Sequence, residues 1–490
     1  MQFPILSAIA FLPILSGAVM FVLPPKRRDL IYRFALAVGL TAFLLSLYVY
    51  FSFNAGGPRY QFEEIYNWLP ALGVSYHVAV DGITAPLVLL TGVVIFTGVI
   101  ISQRIDDRPR EFFAFLFILA SGVFGVFVSL DLFALFFFYE IAVFPMYLLI
   151  ALWGWKQTRE YAAMKLTLYL FIGSVVALVG ALAMYFASGL HTFDMIALEA
   201  AKFTPEFQKL WFPFVFFGFA VLGGIFPFHN WSPDGHVAAP TAVSMFHAGV
   251  LMKLGAFAAL RVGIMLLPEG AKFHLPWIIV LTLVNVVYGA FIAMVQTDFK
   301  YMIGFSSVSH MGLVAMGFAT LTPQGLLGAG VQMFSHGVMT ALFFAVVGMV
   351  YDQAHTREIP KLGGLIKYMP FAAVAFIIGG LVSMGMPGFS GFIAEFPIFM
   401  GLWNSHPWIA IVAAISIAIT AAYIMRAIGR VFFGEVPAEL EGHMHDITRS
   451  EKVALGVLCA FMIGIGIYPN IIVPLVQSGM SHVLALLGGA

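Results

Sequence analysis

A lysine near the centre of an apolar segment is the first residue in this sequence that could do chemistry. Lys253 lies in an otherwise uncharged run, and His247 precedes it by six residues. Placing a full positive charge at the middle of a membrane costs roughly 2.5 to 3.5 kcal/mol on insertion scales. An intramembrane lysine therefore indicates a functional site, and it needs a partner that stabilises its charge.

Two carboxylates inside other apolar segments are the candidate partners. Glu140 lies about nine residues into its segment, or roughly 13 Å deep at 1.5 Å per residue. Glu395 follows Pro387 by eight residues in a segment rich in glycine and proline. A buried carboxylate changes its proton affinity when a nearby cation moves. We interpret Glu140 as a gating carboxylate and Glu395 as an outlet, with a structural ion pair or a neutral hydrogen-bonded carboxyl as the alternative.

Three histidines fall in the apolar segments between these carboxylates. His247, His310 and His336 can each carry a proton near neutral pH, and serines flank the last two. We predict that His310 and His336 connect Lys253 to Glu395 through a hydrated path. The alternative for each of them is an ordinary hydrogen-bonded core histidine.

A short polar turn before the lysine segment carries His229, Asp234 and His236. These residue types could ligate a metal, but they form no closed ligand set. We expect them to form hydrogen bonds in a turn or at an entrance. Lys165 lies a few residues inside its own apolar segment, and we expect it to extend towards the nearer membrane surface.

The composition shows what kind of chain positions these residues. Of its 490 residues 61% are hydrophobic and 10% are charged, whereas soluble domains carry about 25% charged residues. The sequence therefore predicts a polytopic membrane protein. The zero net charge gives no support for nucleic-acid binding. The single cysteine, Cys459, excludes an internal disulfide and a cysteine-ligated redox cluster, so any electron-transfer cofactor is expected on another chain.

About fourteen apolar stretches reach the roughly 20 residues needed to cross a membrane as a helix. We number them as spans one to fourteen, at 3–24, 31–53, 82–103, 111–129, 132–152, 162–188, 211–230, 239–265, 275–297, 301–320, 326–350, 369–403, 407–434 and 452–480. The predicted fold class is an all-α polytopic membrane protein.

Glycine and proline interrupt spans seven and twelve, which are five spans apart. Broken helices at corresponding positions of two halves are typical of inverted-repeat transporters with an ion path near the midplane. An odd number of spans in each repeat makes the two copies inverted. We predict N-terminal spans one to three, a first repeat of spans four to eight, a second repeat of spans nine to thirteen, and a C-terminal span fourteen, at 1–110, 111–265, 275–434 and 435–490.

Lysine and arginine are distributed unequally between the two ends of the spans. Eighteen lie where an odd-numbered span ends and the next span begins, which is one side of the membrane, and five lie on the opposite side. Because basic residues are enriched in cytoplasmic loops, both termini are predicted on the non-cytoplasmic side.

Several long motifs together are typical of one known family. They are FFFYEIAVFPMYLLIALWG, FPFHNWSPDGHVAAPTAVS, AGVLMKLGAF, TDFKYMIGFSSVSHMG, FSHGVMTALFF and MPGFSGFIAEF. Between about Asp81 and Gly434 the chain resembles the antiporter-like membrane subunits of respiratory complex I, or NADH-quinone oxidoreductase, and in particular subunits of the chain-4 type, subunit M.

The resemblance implies two inverted five-helix repeats and a proton path at midmembrane, driven by quinone reduction elsewhere in a multi-chain complex. Glu140, Lys253 and Glu395 match the family's glutamate, lysine and outlet glutamate, and His310 and His336 match its connecting histidines. The resemblance also implies a multi-pass chain in the bacterial cytoplasmic membrane, assembled with other complex I membrane subunits. NADH, FMN, iron-sulfur clusters and quinone would be bound by partner subunits.

One departure affects the mechanism that the resemblance implies. Seven residues before His229 such subunits carry a lysine that pairs with the glutamate matched by Glu140, and here that position is Leu222. Tyr301 likewise replaces a basic residue that is common after Lys300. We hypothesise that His247, or Lys253 through water, takes the part of the missing cation.

Two other functions remain compatible with the sequence. One is a subunit of a multi-chain cation/proton antiporter or a membrane-bound hydrogenase with the same fold. The other is a membrane scaffold that no longer pumps, for which Leu222 is the best argument. Retention of Lys253 and Glu395 argues against a scaffold, since apolar residues at both positions would be more stable.

Overall fold

Helices make up most of the computed structural model, which describes residues 3–442 and 444–488. One hairpin of two antiparallel strands, β1 Gln61–Leu69 and β2 Val74–Val80, lies between the second and third helices. The α-helices are α1 Ile5–Met20, α2 Arg28–Ser52, α3 Thr84–Ile101, α4 Pro109–Val128, α5 Leu132–Trp153, α6 Arg159–Ser188, α7 Met195–Ala200, α8 Pro205–Gly223, α9 Trp231–Ala238, α10 Thr241–Phe246, α11 Met252–Ala258, α12 Pro268–Val295, α13 Phe299–Ala319, α14 Pro323–Ala354, α15 Pro370–Ser383, α16 Ser390–Ser405, α17 Pro407–Ala427, α18 Arg449–Ile467 and α19 Val473–Leu486.

The lengths of these helices agree with a membrane-spanning bundle. Eleven helices in the described ranges are long and apolar enough to cross a membrane, counting α10, α11 and the π-helical turns around them as one span. The other predicted spans correspond to α1, which has 16 residues, and to two spans that are each divided between two helices. The prediction of an all-α polytopic membrane protein is confirmed.

Span seven is broken between α8 and α9. Gly224 ends α8 with φ at +70°, a left-handed conformation that glycine adopts without steric cost. The break frees backbone groups that lipid could not satisfy. Asn285 of α12 bonds to them: its Oδ1 accepts from the N–H of Phe226 at 2.5 Å, and its Nδ2 donates to the Gly224 carbonyl at 3.2 Å. The interruption is therefore a specific, satisfied structure.

Span twelve is broken in the same way between α15 and α16. Gly385 and Gly388 have φ values of +64° and +92°, so the helix cannot continue through them. Helix α16 begins again at Ser390 and carries Glu395 in its second turn. The predicted interruptions of spans seven and twelve are both found.

Two aspartates show that spans five and ten begin with the same local structure. Asp131 caps α5 by accepting from the N–H of Ala134 at 3.0 Å, and its backbone forms an isolated antiparallel β-bridge with Asp194 after α6. Asp298 caps α13 by accepting from the N–H of Lys300 at 2.8 Å, and its backbone forms an isolated antiparallel β-bridge with Glu358 after α14. These two starts are also five spans apart, and the division into repeats at 111–265 and 275–434 stays a prediction.

Two parts of the chain differ from the prediction. The β1–β2 hairpin lies between predicted spans two and three, in a segment for which no helix or strand was predicted. Strand propensity depends strongly on context and gives a weak signal in so short a segment. The predicted continuous span at 452–480 is wrong: α18 ends at Ile467, Pro469 follows, and α19 is a separate helix. Proline removes a backbone donor, and it moves the residue before it out of the helical conformation.

Candidate functional site

Lys253 lies at the centre of its span. It is the thirteenth of the 24 residues in Thr241–Ile264, and its side chain is fully buried. The π-helical turn His247–Leu251 precedes it, and its amino group donates to the carbonyl of Ala248 in that turn. Single π-helical turns inside α-helices are frequent at functional sites. In the described part of the chain Lys253 forms no ion pair with a carboxylate, so its charge depends on polar neighbours.

Glu140 does not join Lys253 in this structure. It lies on the outward face of α5, where it is exposed between Phe137 and Phe144, and its Oε1 accepts a hydrogen bond from Ser174 of α6 at 2.8 Å. A carboxyl group at this depth in a membrane needs polar partners or water. The structure therefore separates the two residues that the sequence suggested as partners, and the gating role of Glu140 stays a prediction.

Leu222 lies inside the bundle, fully buried on α8. A Cβ on Gly255, two residues after Lys253, would lie 2.7 Å from the backbone carbon of Leu222. The helix that carries Lys253 therefore packs directly against Leu222. The close approach of α8 and α11 depends on glycine at 255.

In the second half of the chain, the structure brings His310, His336 and Glu395 together. The rings of His310 and His336 stack with centroids 5.2 Å apart. Nδ1 of His310 lies 3.0 Å from Oε1 of Glu395, and its Nε2 lies 3.0 Å from Oγ of Ser383. Gln332 also donates to Glu395, at 2.9 Å. His310 and Glu395 are in direct polar contact, and His336 joins them by ring stacking alone.

Small residues on α14 allow Glu395 to reach this cluster. A Cβ on Gly328 would lie 2.7 Å from the carbonyl of Ala394 and equally close to the side chain of Ile398. Any side chain at 328 would push α16 away from α14. The break at Gly385 and Gly388 then sets the start of α16, so that Glu395 faces Gln332 and His310.

Glu395 also borders a cavity of about 520 Å³ between α16 and α17. Its walls are mostly apolar and include Phe392, Phe396, Trp403 and Ile411. The carboxylate itself is only 6% exposed. Glu395 therefore stands between the histidine cluster and a space that opens outward.

His236 and His247 form a second histidine pair, on the other side of Lys253. Their ring centroids lie 4.1 Å apart, and Trp231 stacks on His247 at 5.0 Å. Nε2 of His236 lies 2.9 Å from Oγ of Ser232. A Cβ on Gly235 would lie 3.0 Å from Cε1 of His247, so glycine is needed for this close approach.

The sequence predicted a turn or entrance role for His236 and did not place it beside His247. The available signal was the four-residue spacing from Ser232 to His236, which puts both on one face of a helix. That face of α9 is buried, because Ser232 and His236 are both 0% exposed.

The polar turn does not gather into a single centre. Asp234 points away from His236, and it pairs with Lys165 at 2.7 Å and accepts from the Tyr301 hydroxyl at 2.9 Å. His229 packs instead against Tyr288, with ring centroids 5.4 Å apart. Lys165, which we expected to extend to the surface, thus has a carboxylate partner on α9.

Electrostatic contact connects the two histidine pairs through the lysine. His336 lies within electrostatic range of Lys253, His310 and His236. The direct contacts among these groups are the His236–His247 pair on one side and the series His336, His310 and Glu395 on the other. Histidine side chains can each carry a proton near neutral pH.

A separate ionic cluster ties the hairpin to the helices outside the spans. His77 of β2 contacts Asp194 at 2.5 Å and Glu63 at 2.8 Å. Burial opposes its protonation, but the hydrogen bonds to these two carboxylates outweigh burial and raise the pKa of His77. The hydrogen bond from His77 likewise outweighs burial and lowers the pKa of Asp194. The cluster stabilises the hairpin as a charged unit.

Residues 129–420 match the profile of the family described as NADH:quinone oxidoreductase/Mrp antiporter, TM. The matched part is more than half of the chain. The chain belongs to this family.

Individual relatives align with most of the sequence. Subunit M of the NADH-quinone oxidoreductase of Rhodobacter capsulatus is 36% identical over 497 residues, covering 98% of this chain and 96% of its own. An NAD(P)H-quinone oxidoreductase chain 4 of Picosynechococcus sp. is 39% identical over 441 residues, covering 88% and 80%.

Solved structures agree with the family at the level of the fold. A chain of respiratory complex I from Thermus thermophilus matches with a TM-score of 0.90 and 27% identity, covering 99% of this chain and 100% of that chain. A chain of the Mrp complex from Dietzia sp. matches with a TM-score of 0.86 and 20% identity, covering 100% of both chains. At that identity the second likeness concerns the fold alone.

Proposed function

We propose that this chain is a proton-translocating, non-redox membrane subunit of an NADH-quinone oxidoreductase, in which quinone reduction elsewhere in the complex drives proton movement. One observation carries the proposal: Lys253 is fully buried at midspan without a carboxylate partner among the described residues, and in the same bundle His336 stacks on His310, which contacts Glu395. The names of the similar subunits and the fold shared with complex I support it.

Each residue of this series has a stated role. Lys253 is the central relay, since a lysine held without a carboxylate releases its proton more readily than a paired one. His336 and His310 carry the proton across α14 and α13, and Glu395 delivers it to the cavity beside α16. Glu140 is the gating carboxylate, and a neighbouring subunit in the membrane supplies the polar groups that face its exposed side. His247 lies on the other side of the relay.

The surroundings of the subunit follow from the same proposal. The chain lies in the bacterial cytoplasmic membrane with both termini on the non-cytoplasmic side, as the distribution of lysine and arginine supports. NADH, FMN, the iron-sulfur clusters and quinone are bound by partner subunits. The buried relay residues of this chain serve proton transfer alone.

A second candidate keeps the fold and changes the complex. The description of the matched family names Mrp antiporters beside NADH:quinone oxidoreductases, so a subunit of a multi-chain antiporter is the second candidate. Purification of the tagged chain in mild detergent, followed by identification of its partners, distinguishes the two. Partners that carry flavin and iron-sulfur clusters are expected. Recovery of small membrane chains alone would overturn the complex I assignment.

A further inference from the structure

Ser383 is the last residue of α15, and its hydroxyl group is bonded differently from many buried hydroxyls in the bundle. Thr91 of α3 and Thr340 of α14, for example, each donate to the carbonyl four residues earlier in their own helix, at 2.8 and 2.7 Å. Ser383 is only 2% exposed, and it forms no such bond among residues 3–442 and 444–488. Its Oγ lies instead 3.0 Å from Nε2 of His310. The end of α15 therefore presents a hydroxyl to the histidine that contacts Glu395.

A tyrosine on α17 lies next to this serine. Tyr423 is fully buried, and its hydroxyl is 2.8 Å from that of Ser306 on α13. The same tyrosine hydroxyl is also within hydrogen-bonding reach of the Ser383 hydroxyl. Hydroxyl groups from α13, α15 and α17 thus meet on the Nε2 side of His310.

The neutral ring of His310 has two possible forms, and its neighbours distinguish them. An ionised carboxylate only accepts hydrogen bonds, so Oε1 of Glu395, 3.0 Å from Nδ1, requires the proton on Nδ1. Nε2 then holds a lone pair that needs a donor. In the other form Nδ1 is bare and accepts from Gln332, at 3.4 Å, but its hydrogen bond to Glu395 is lost. The first form alone places a transferable proton between His310 and Glu395.

We propose that Ser383, oriented by Tyr423, is a positioning residue that holds neutral His310 with its proton on Nδ1, facing Glu395. The inference rests on the relay function proposed above. A serine hydroxyl carries one proton, so a bond donated by Tyr423 leaves the Ser383 proton directed at Nε2. Both hydroxyls keep their protons, and no covalent bond is formed or broken in either. The break in span twelve serves both sides of the contact, because a Cβ on Gly385 would lie 3.1 Å from Oε2 of Glu395.

Removal of the Ser383 hydroxyl tests this role in the intact complex. In Ser383→Ala the buried Nε2 of His310 loses its donor, and an unpaired buried acceptor should lower the population of the productive form roughly tenfold to a hundredfold. Proton flux through this subunit should fall by the same factor. Ser383→Thr keeps a hydroxyl and should retain most of the flux. The assay is NADH-driven acidification of inside-out vesicles, compared at equal amounts of assembled complex.

Ser309→Ala is the matched control. Ser309 precedes His310 on α13 and is also buried, but its hydroxyl donates to the carbonyl of Val286 at 2.7 Å. Its removal leaves the contact at Nε2 intact, so Ser309→Ala should assemble and pump normally. Equal losses in Ser309→Ala and Ser383→Ala would contradict the proposal, since general packing would then account for both.

A double variant tests whether Tyr423 acts through Ser383. Tyr423→Phe removes the orienting hydroxyl and should lower the flux less than Ser383→Ala does. The double variant should pump no worse than Ser383→Ala alone, because the tyrosine then has nothing left to orient. Independent structural roles would instead give losses that multiply, since the free-energy effects of uncoupled sites add. Losses that multiply would therefore overturn the role of Tyr423.

The outcomes also separate this inference from the function on which it rests. Normal pumping by Glu395→Gln would refute the outlet role and the positioning role with it. A loss in Glu395→Gln with normal pumping by Ser383→Ala would refute the positioning role alone. A loss in Ser383→Ala that persists in Ser383→Thr would also contradict it, because the site would then require the size of the serine and not its hydroxyl.

Discussion

Glu395 offers the sharpest separation of stability from proton transfer. Glu395→Gln keeps the size of the side chain and removes its charge. Oε1 of Glu395 accepts from Gln332 at 2.9 Å and lies 3.0 Å from Nδ1 of His310. Hydrogen bonds to charged groups contribute about 1.5 to 3 kcal/mol and neutral ones about 0.5 to 1.5 kcal/mol. Weakening two such contacts should therefore cost about 1 to 3 kcal/mol of stability, and the subunit should still assemble.

Proton flux should respond far more strongly than stability. An amide cannot exchange the proton that the carboxylate takes from His310, so flux through this subunit should fall by roughly 10² to 10⁴. The assay is NADH-driven acidification of inside-out vesicles, with the amount of assembled complex measured in parallel. Glu395→Asp keeps the carboxylate and should retain partial activity.

Glu199→Gln is the matched control for this substitution. Glu199 accepts from Arg59 at 3.1 Å and lies 2.8 Å from His482, so it too has two partners, one of them a histidine. It lies outside the membrane-spanning helices and away from the relay. A similar loss of stability with normal pumping is expected. Normal pumping by Glu395→Gln would refute the outlet role.

Three further substitutions test other parts of the structure. Arg261 and Asp81 form a buried ion pair, with Nη2 and Oδ2 2.5 Å apart. Arg261→Met removes the partner of the buried Asp81 charge, which should cost about 3 to 5 kcal/mol of stability. Thermal unfolding of the purified complex measures this loss, and a shift no larger than that of a surface substitution would contradict the buried pair. His77→Gln should lower the unfolding temperature most below pH 6.5. The raised pKa of His77 contributes stability that is fully present below the ordinary histidine pKa of about 6.5 and is lost as the pH rises through the pKa of His77 in the folded protein. A loss of unfolding temperature that grows with pH would contradict this direction. His247→Ala should reduce proton flux to the level of Lys253→Ala, and unchanged acidification would exclude it from the path.

The residues that sequence reasoning located best are those with a strong physical signal. Lys253 was found because a charge in an apolar span is costly. The breaks in spans seven and twelve were found because glycine and proline end helices. The positions of His310, His336 and Glu395, together with the family resemblance, suggested one path; the structure brings the three side chains together, and their role in a path stays a prediction.

The face on which a residue lies was harder to predict. Span five is apolar on every side, so its sequence carries no periodicity that distinguishes an inward from an outward position for Glu140. Helix α9 has only eight residues, too few for a periodic pattern that would have turned His236 towards His247. In both cases tertiary packing decides the orientation, and packing depends on residues distant in the sequence.

The number of protons translocated for each NADH oxidised by the Lys253→Ala complex tests the central claim most directly. The measurement uses the assembled complex in sealed vesicles, with quinone reduction recorded at the same time. If Lys253 is the relay of this subunit, the ratio falls below that of the unaltered complex. A scaffold subunit predicts an unchanged ratio, and an unchanged ratio at normal assembly would contradict the account.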